Sequence, residues 1–220
     1  MLVIQLTRAG AFISTANDEV AQLRMRFARE QCILLPRLIE PDLLRTIQRR
    51  IDVSEFRPFD SDGIAHDSTL LDPLTIHLLF FLTNDPPFLQ IVREITACME
   101  LDSFQGRVYR MDPALPDTDS WHDDMSENRM IGMSVNLSTT AFEGSRFQLR
   151  DRRSNQLLYE IANTGSGDTI LFRLAAHLQH RNTPLTGSAP KTAFAGWFRS
   201  HQPDYYSSLR AAKRRSRITP

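Results

Sequence analysis

The segment Trp121-His122-Asp123-Asp124-Met125 holds a histidine and a carboxylate two residues apart. On an extended strand, residues i and i+2 project from the same face. His122 and Asp124 can then aim an imidazole nitrogen and a carboxylate oxygen at one point, while Asp123 turns the other way. A His-x-Asp pair alone is weak evidence for a metal site, because many loops contain one by chance. A second histidine must come from elsewhere, and the chain offers His66, His77, His177, His180 and His201. His180 stands out by its context. It follows the run DTILFRL and precedes RNTPLTG, and the turn Gly165-Ser166-Gly167-Asp168 introduces the strand that leads to it.

Those side chains need a scaffold, and the chain changes texture along its length. The first third reads as helical. Asn17-Asp18 can cap a helix over EVAQLRMRFARE, and Pro41-Asp42 opens a second one with Leu43, Leu44, Ile47 and Ile51 on its buried face. The run CILLP between them reads as a short strand ended by Pro36. A polar loop follows over 55–73. Two more helical stretches, TIHLLFFLTND and PPFLQIVREITACME, are separated at Asn84-Asp85-Pro86-Pro87. After about residue 103, short apolar or alternating runs are divided by Gly, Pro, Asn and Asp: RVYRM, MIGMSVNLS, SRFQLRD, LLYEIA, DTILFRL and KTAFAGWF. Their spacing suits an all-β sandwich, barrel or jelly roll. No linker or internal repeat divides the chain. The expectation is one domain over 1–220, with helical support over about 18–100, a β core over about 103–200 and a basic tail over 207–220.

Composition narrows the classes. The chain has 220 residues, 41% of them hydrophobic and 24% charged, enough for a self-sufficient core. Its 26 basic and 26 acidic side chains cancel, which argues against general nucleic-acid binding, since that needs a basic footprint. Cys32 and Cys98 read as two buried free thiols rather than a disulfide framework. The start MLVIQLTRAG lacks the pattern of a secretory signal, and no apolar run approaches the length of a membrane helix. A soluble cytoplasmic protein, monomer or homodimer, with no nucleic-acid or membrane partner, is the expectation.

Taken in order, the motifs of the C-terminal half resemble the iron(II)/2-oxoglutarate-dependent dioxygenase superfamily, of the prolyl-hydroxylase-like or phytanoyl-CoA-hydroxylase-like kind. They are His122-Asp123-Asp124, then Glu143-Gly144-Ser145-Arg146-Phe147, then Gly167-Asp168-Thr169-Ile170-Leu171-Phe172. His180 follows with Pro184 and Gly187, and Lys191 precedes Trp197-Phe198. The stretch CILLPRLIEPDLLRTI is similar to the family's strand, proline and helix. The likeness spans roughly residues 30–200. It implies a mainly β fold with flanking helices, built on a double-stranded β-helix (jelly-roll) core behind a helical N-terminal third. It implies Fe(II) held by His122, Asp124 and His180, with 2-oxoglutarate as cosubstrate, dioxygen as oxidant and ascorbate as a candidate reductant. Two imidazoles and one carboxylate on one face of an octahedral ion leave three positions open, as such chemistry requires.

The remaining assignments follow from the same resemblance. Lys191, eleven residues past His180, matches the basic position that holds the cosubstrate's far carboxylate. A lysine is a point charge without a fork, so further donors should help, and Thr192 or Tyr109 could supply a hydroxyl. Asn136 is a further candidate for this pocket. Arg181 and Arg199 are competing cations, and His177 is the rival distal ligand. Trp121 and Trp197 read as core residues. The carboxylate ligand favours hydroxylation, desaturation or ring formation over halogenation. The prime substrate would be a small molecule or a peptide, admitted past lids at 55–73 and 111–120. Their acids are Asp60, Asp62, Asp67, Asp112, Asp117 and Asp119, with Arg146, Arg150, Arg152 and Arg153 on an adjacent stretch. Two other classes fit parts of the pattern. A cupin-like zinc hydrolase or isomerase would use the three ligands without needing Lys191. A catalytically inactive jelly-roll binding protein would not need the triad.

Overall fold

The computed structural model describes residues 3–14, 17–60, 66–114, 120–126 and 128–200. The chain opens on a hairpin, β1 (Val3–Thr7) and β2 (Gly10–Ser14), followed by α1 (Asn17–Glu30), β3 (Cys32–Leu35) and α2 (Pro41–Asp52). A second hairpin, β4 (Phe56–Asp60) and β5 (His66–Leu70), precedes α3 (Pro73–Thr83) and α4 (Pro86–Thr96). Seven strands complete it: β6 (Leu101–Met111), β7 (Arg129–Asn136), β8 (Phe147–Asp151), β9 (Leu157–Ile161), β10 (Thr169–Arg173), β11 (Leu178–Asn182) and β12 (Lys191–Ser200).

The strands form two facing antiparallel sheets. The larger has the order β3-β10-β7-β12-β6-β5-β4, and the smaller β11-β8-β9. Two apolar layers follow from strand alternation. On β12, Phe194 and Phe198 face the helices, where they meet Phe104 at 5.3 and 4.9 Å, with Phe80 and Phe88 beyond. Ile131, Val135 and Leu171 join this layer with Leu43, Ile47, Leu79, Val92 and Ile95 of the helices. Between the sheets a second cluster holds Cys32, Phe147, Leu149, Ile170, Phe172, Leu174 and Leu178. This is the jelly-roll core with flanking helices that the sequence led us to expect, and both cysteines are buried and free.

The first third is less purely helical than its periodicity suggests. Ile4 and Leu6 alternate with Gln5 in β1 and bury themselves, and Gly10 closes the turn at φ 112°. The polar stretch at 55–73 is not a loop through its length. Its β4–β5 hairpin adds to the edge of the large sheet through pairing of Ser68 and Thr69 with Arg110 and Tyr109. Polar alternation hid these strands, because one of their faces lines a cavity instead of a core. Of the expected lids, residues 61–65 and 115–119 lie outside the described residues, as does the basic tail. None of the described helices is long and apolar enough to cross a membrane.

Helix docking uses specific polar anchors. Gln48 of α2 donates to the carbonyl oxygens of Leu137 and Ser138 and to Ser166 Oγ at 2.9 Å. Asp72 caps α3 through the Leu74 N–H and accepts from Thr75 Oγ1 (2.6 Å) and the Arg50 guanidinium of α2. Burial pushes the Asp72 carboxyl up, but the hydrogen bonds from Thr75 and Arg50 outweigh it and hold it below its ordinary value.

Two stability changes follow. Phe194→Ala should cost about 3–5 kcal/mol in urea unfolding. Asp72→Ala should cost about 1 kcal/mol. Because the folded carboxyl is depressed, the Asp72 contribution is present above its unfolded pKa of about 3.9. It is lost as pH falls through the folded value, so wild type and variant should converge in acid.

Candidate metal centre

His180 sits on β11, where alternation turns Leu178, His180 and Asn182 inward and Gln179 and Arg181 outward. His122 lies just outside the small sheet and joins it through one two-bond bridge. Its N–H donates to the His180 carbonyl at 3.1 Å, and the His180 N–H returns a bond at 2.8 Å. Asp124 does not continue a strand. Its φ is 52°, in the left-handed region that aspartate tolerates. The two side chains therefore converge through a local backbone reversal, not through extended i, i+2 spacing. Asp123 points away as expected, with its carboxylate on the Met125 N–H and 3.4 Å from Arg152.

The three ligand atoms lie within 4.8 Å of one another, and no other such group of three occurs among the described residues. Asp124 Oδ2 is 3.2 Å from His180 Nε2 and 3.9 Å from His122 Nε2. His122 Nδ1 sits 2.8 Å from the Ser120 carbonyl oxygen. A carbonyl only accepts, so Nδ1 carries the proton and Nε2 turns its lone pair toward the same point as the Asp124 carboxylate. Trp197 Nε1 donates to Asp124 Oδ2 at 3.0 Å and orients the carboxylate. Burial raises the Asp124 carboxyl, but His180, His122 and Trp197 together outweigh it and bring it to about 2. Burial lowers His180 despite the pull of Asp124. A carboxylate and two imidazoles are the donor set that a divalent transition metal takes.

The site opens on a cavity of about 540 Å³. Its walls include Phe59, Tyr109, Met111, Phe147, Phe172 and Trp197. Phe172 packs 4.6 Å from the His180 ring. Gly132 makes room for it, since a Cβ there would stand 2.1 Å from Phe172 Cζ.

The structure distributes the other expected residues unevenly. Lys191 is only 2% exposed, and its Nζ donates to Ser145 Oγ (2.8 Å) and Asn182 Oδ1 (3.4 Å). Tyr109 lines the cavity. Thr192 does not: as the neighbour of Lys191 it projects from the opposite face, where its hydroxyl accepts from Arg110 Nε. The Asn136 amide is spent on backbone, donating to the Gly165 carbonyl and accepting from the Ser138 N–H. His177 and His77 are exposed and lie away from the triad, while His66 and His201 have no described side chain. Arg181 points outward and, with Arg150, flanks Trp121 at 4.6 and 4.2 Å. Trp121 is thus half-buried between two guanidinium groups, and Trp197 is a partner of Asp124; neither is simple core. Arg199 lines the cavity.

Sequence reasoning missed Ser145 and Asn182. The parity rule applied to His180 would have found Asn182. Ser145 becomes visible only once Gly144 pairs with Leu185 and closes that end of the small sheet.

No protein-family model and no curated protein matches this chain. Solved structures do. A Pseudomonas putida prolyl-4-hydroxylase aligns over 83% of this chain and 100% of its own, with TM-score 0.62 and 17% identity. An oxidoreductase of the 2OG-Fe(II) oxygenase family from Burkholderia pseudomallei aligns over 90% and 97%, with TM-score 0.62 and 15% identity. A non-haem α-ketoglutarate-dependent epimerase of nogalamycin biosynthesis aligns over 82% of both chains, with TM-score 0.57 and 12% identity. At these identities the shared property is the fold.

The buttress behind His180 is testable. Gly132→Ala should cost about 1–3 kcal/mol by overpacking against Phe172. Combining it with Phe172→Leu should recover at least half of that loss in urea unfolding, as expected of coupled neighbours.

Proposed function

We propose that this chain is a non-haem Fe(II)- and 2-oxoglutarate-dependent oxygenase that hydroxylates a C–H bond of a small molecule or a polypeptide side chain. The observation that carries this reading is the pairing of two features along one face of β11, where Asn182 follows His180 by two residues. One is the converging His122, Asp124 and His180. The other is the buried ammonium of Lys191, whose hydrogen-bond partners Ser145 and Asn182 are neutral. A buried charge without a counter-charge is costly, and an anion beside it removes the cost. A zinc hydrolase would leave that lysine without a task.

In this reading, His122 Nε2, the Asp124 carboxylate and His180 Nε2 hold the iron. When bound, it supplies the redox chemistry that couples oxidative decarboxylation of 2-oxoglutarate to oxidation of the substrate. The chain does the rest by position. Lys191 takes the far carboxylate of the cosubstrate, with Ser145 and Asn182 fixing its ammonium. Asn182 stands two residues from His180 on one strand face, about 7 Å along β11. The cosubstrate thus lies along that strand between lysine and metal ligands. Trp197 holds the Asp124 carboxylate, and the Ser120 carbonyl holds the His122 tautomer. Phe147 and Phe172 keep water from the His180 side. Tyr109 offers a hydroxyl to the cavity.

Anaerobic addition of Fe(II) and 2-oxoglutarate should give a weak visible charge-transfer band. His122→Ala and His180→Ala should each abolish it. Lys191→Ala should keep iron binding and weaken 2-oxoglutarate by about 10- to 100-fold, the worth of a hydrogen bond to a charged group. A band that survives loss of either histidine overturns the metal site. Unchanged 2-oxoglutarate affinity in Lys191→Ala overturns the cosubstrate assignment alone.

A further inference from the structure

We propose that the prime substrate carries an anionic group, a carboxylate or equivalent oxyanion, and that Arg199 receives it on the side of the metal ligands away from Lys191. The inference rests on the oxygenase reading for the word substrate, but the anion site rests on its own geometry.

The strand β12 acts as a ruler. Lys191, Ala193, Ala195, Trp197 and Arg199 share its inner face. Trp197 marks the metal ligands, because its indole N–H bonds Asp124. At about 3.3 Å per residue, the Lys191 backbone lies about 20 Å before that of Trp197 and the Arg199 backbone about 7 Å beyond it, and the long Lys191 side chain spans part of its interval to reach Asn182. Ala193 and Ala195 leave space between the first two. The two cations therefore flank the triad from opposite ends of one strand, and one cosubstrate cannot use both.

Arg199 differs from the other arginines near the cavity. Arg107 is bound bidentately by Asp67, at 2.6 Å for each bond, and its charge is answered. Arg129 lies 3.5 Å over the Trp197 ring, and its Nη1 is 4.0 Å from Asp124 Oδ1. Arg199 lines the cavity with no acid paired to it among the described residues; its Nε, like that of Arg129, is buried without a hydrogen-bond partner. Arg199 also stands beside Arg129 in register on β12 and β7. Arg129 faces Asp124 at 4.0 Å, and no acid among the described residues faces Arg199. The group that would answer Arg199 at this end is an anion. A guanidinium binds carboxylates and other oxyanions through charge-assisted bonds. Gln105, opposite Trp197 in register, adds an amide to the same wall, and Phe59 and Tyr109 offer it apolar surface.

The test needs no knowledge of the true substrate. Trp121→Phe removes one of the two tryptophans and leaves Trp197, two residues from Arg199, as the reporter. Benzoate and benzamide are titrated anaerobically into this protein loaded with Fe(II) and 2-oxoglutarate, and Trp197 emission is followed. Benzoate should bind at least tenfold more tightly than benzamide. Arg199→Gln should erase that preference, and Arg199→Lys should retain part of it. The charge-transfer band, read on the same sample, shows whether 2-oxoglutarate stays in place. Equal affinity for the two probes, a benzoate preference that survives Arg199→Gln, or no response to benzoate each overturns the anion site. Absence of the charge-transfer band in the parent protein strikes the oxygenase reading instead. The benzoate preference is measured without metal as well, so the two failures are distinct.

Discussion

Two backbone hydrogen bonds between His122 and His180 set the geometry on which the site depends. They join an irregular segment to the edge of the small sheet and bring two imidazoles to a ring separation of 4.4 Å. Without that bridge, Asp124 has no fixed origin for its left-handed turn, and Trp197 has nothing to orient. The bridge itself depends on β11 being held by β8, and on the aromatic pair Phe147 and Phe172 behind His180. A single-residue contact suffices because both sides of it are already ordered by larger elements.

The second organising constraint is the alternation of β12. One strand carries Phe194 and Phe198 into the helical layer and turns Lys191, Trp197 and Arg199 to the opposite face, where Trp197 and Arg199 line the cavity. Packing on one face therefore immobilises chemistry on the other. The helices that cover the large sheet contribute no ligand atom, yet they set the position of three polar side chains through the backbone they clamp. The β4–β5 hairpin extends the same logic: its Asp67 answers Arg107, while Arg199 has no acid partner among the described residues.

Several features were legible before the fold was known, and each had a local physical cause. The apolar period of Leu43, Leu44, Ile47 and Ile51 marked α2, and Pro86-Pro87 marked the break between α3 and α4. Apolar runs marked β7, β10 and β12, whose burial on both faces demands them. Strands with a cavity face were hidden, because polar alternation reads as loop. This applies to β4 and β5, and to β11, which carries His180. Thr192 looked suitable by type and neighbourhood, but the alternation that turns Lys191 inward turns it outward. Asn136 looked like a pocket residue, but its amide is engaged by the adjacent backbone. Trp121 and Trp197 show the limit of residue type as a guide: one lies half-buried between two guanidinium groups, the other beside the ligands.

The sequence by itself determined which atoms are available for chemistry: two histidines, a carboxylate, a lysine at a suggestive interval, and the apolar runs that form the sheets. These are properties of residue type and local period, which need no distant partner. Tertiary structure alone decided which of those atoms meet. It placed Ser145 and Asn182 on Lys191, Trp197 on Asp124, and Arg199 in the cavity with no acid among the described residues to answer it. The reason is physical. Convergence across strands far apart in sequence is set by sheet register and by which face the core claims, and neither is written in any single segment.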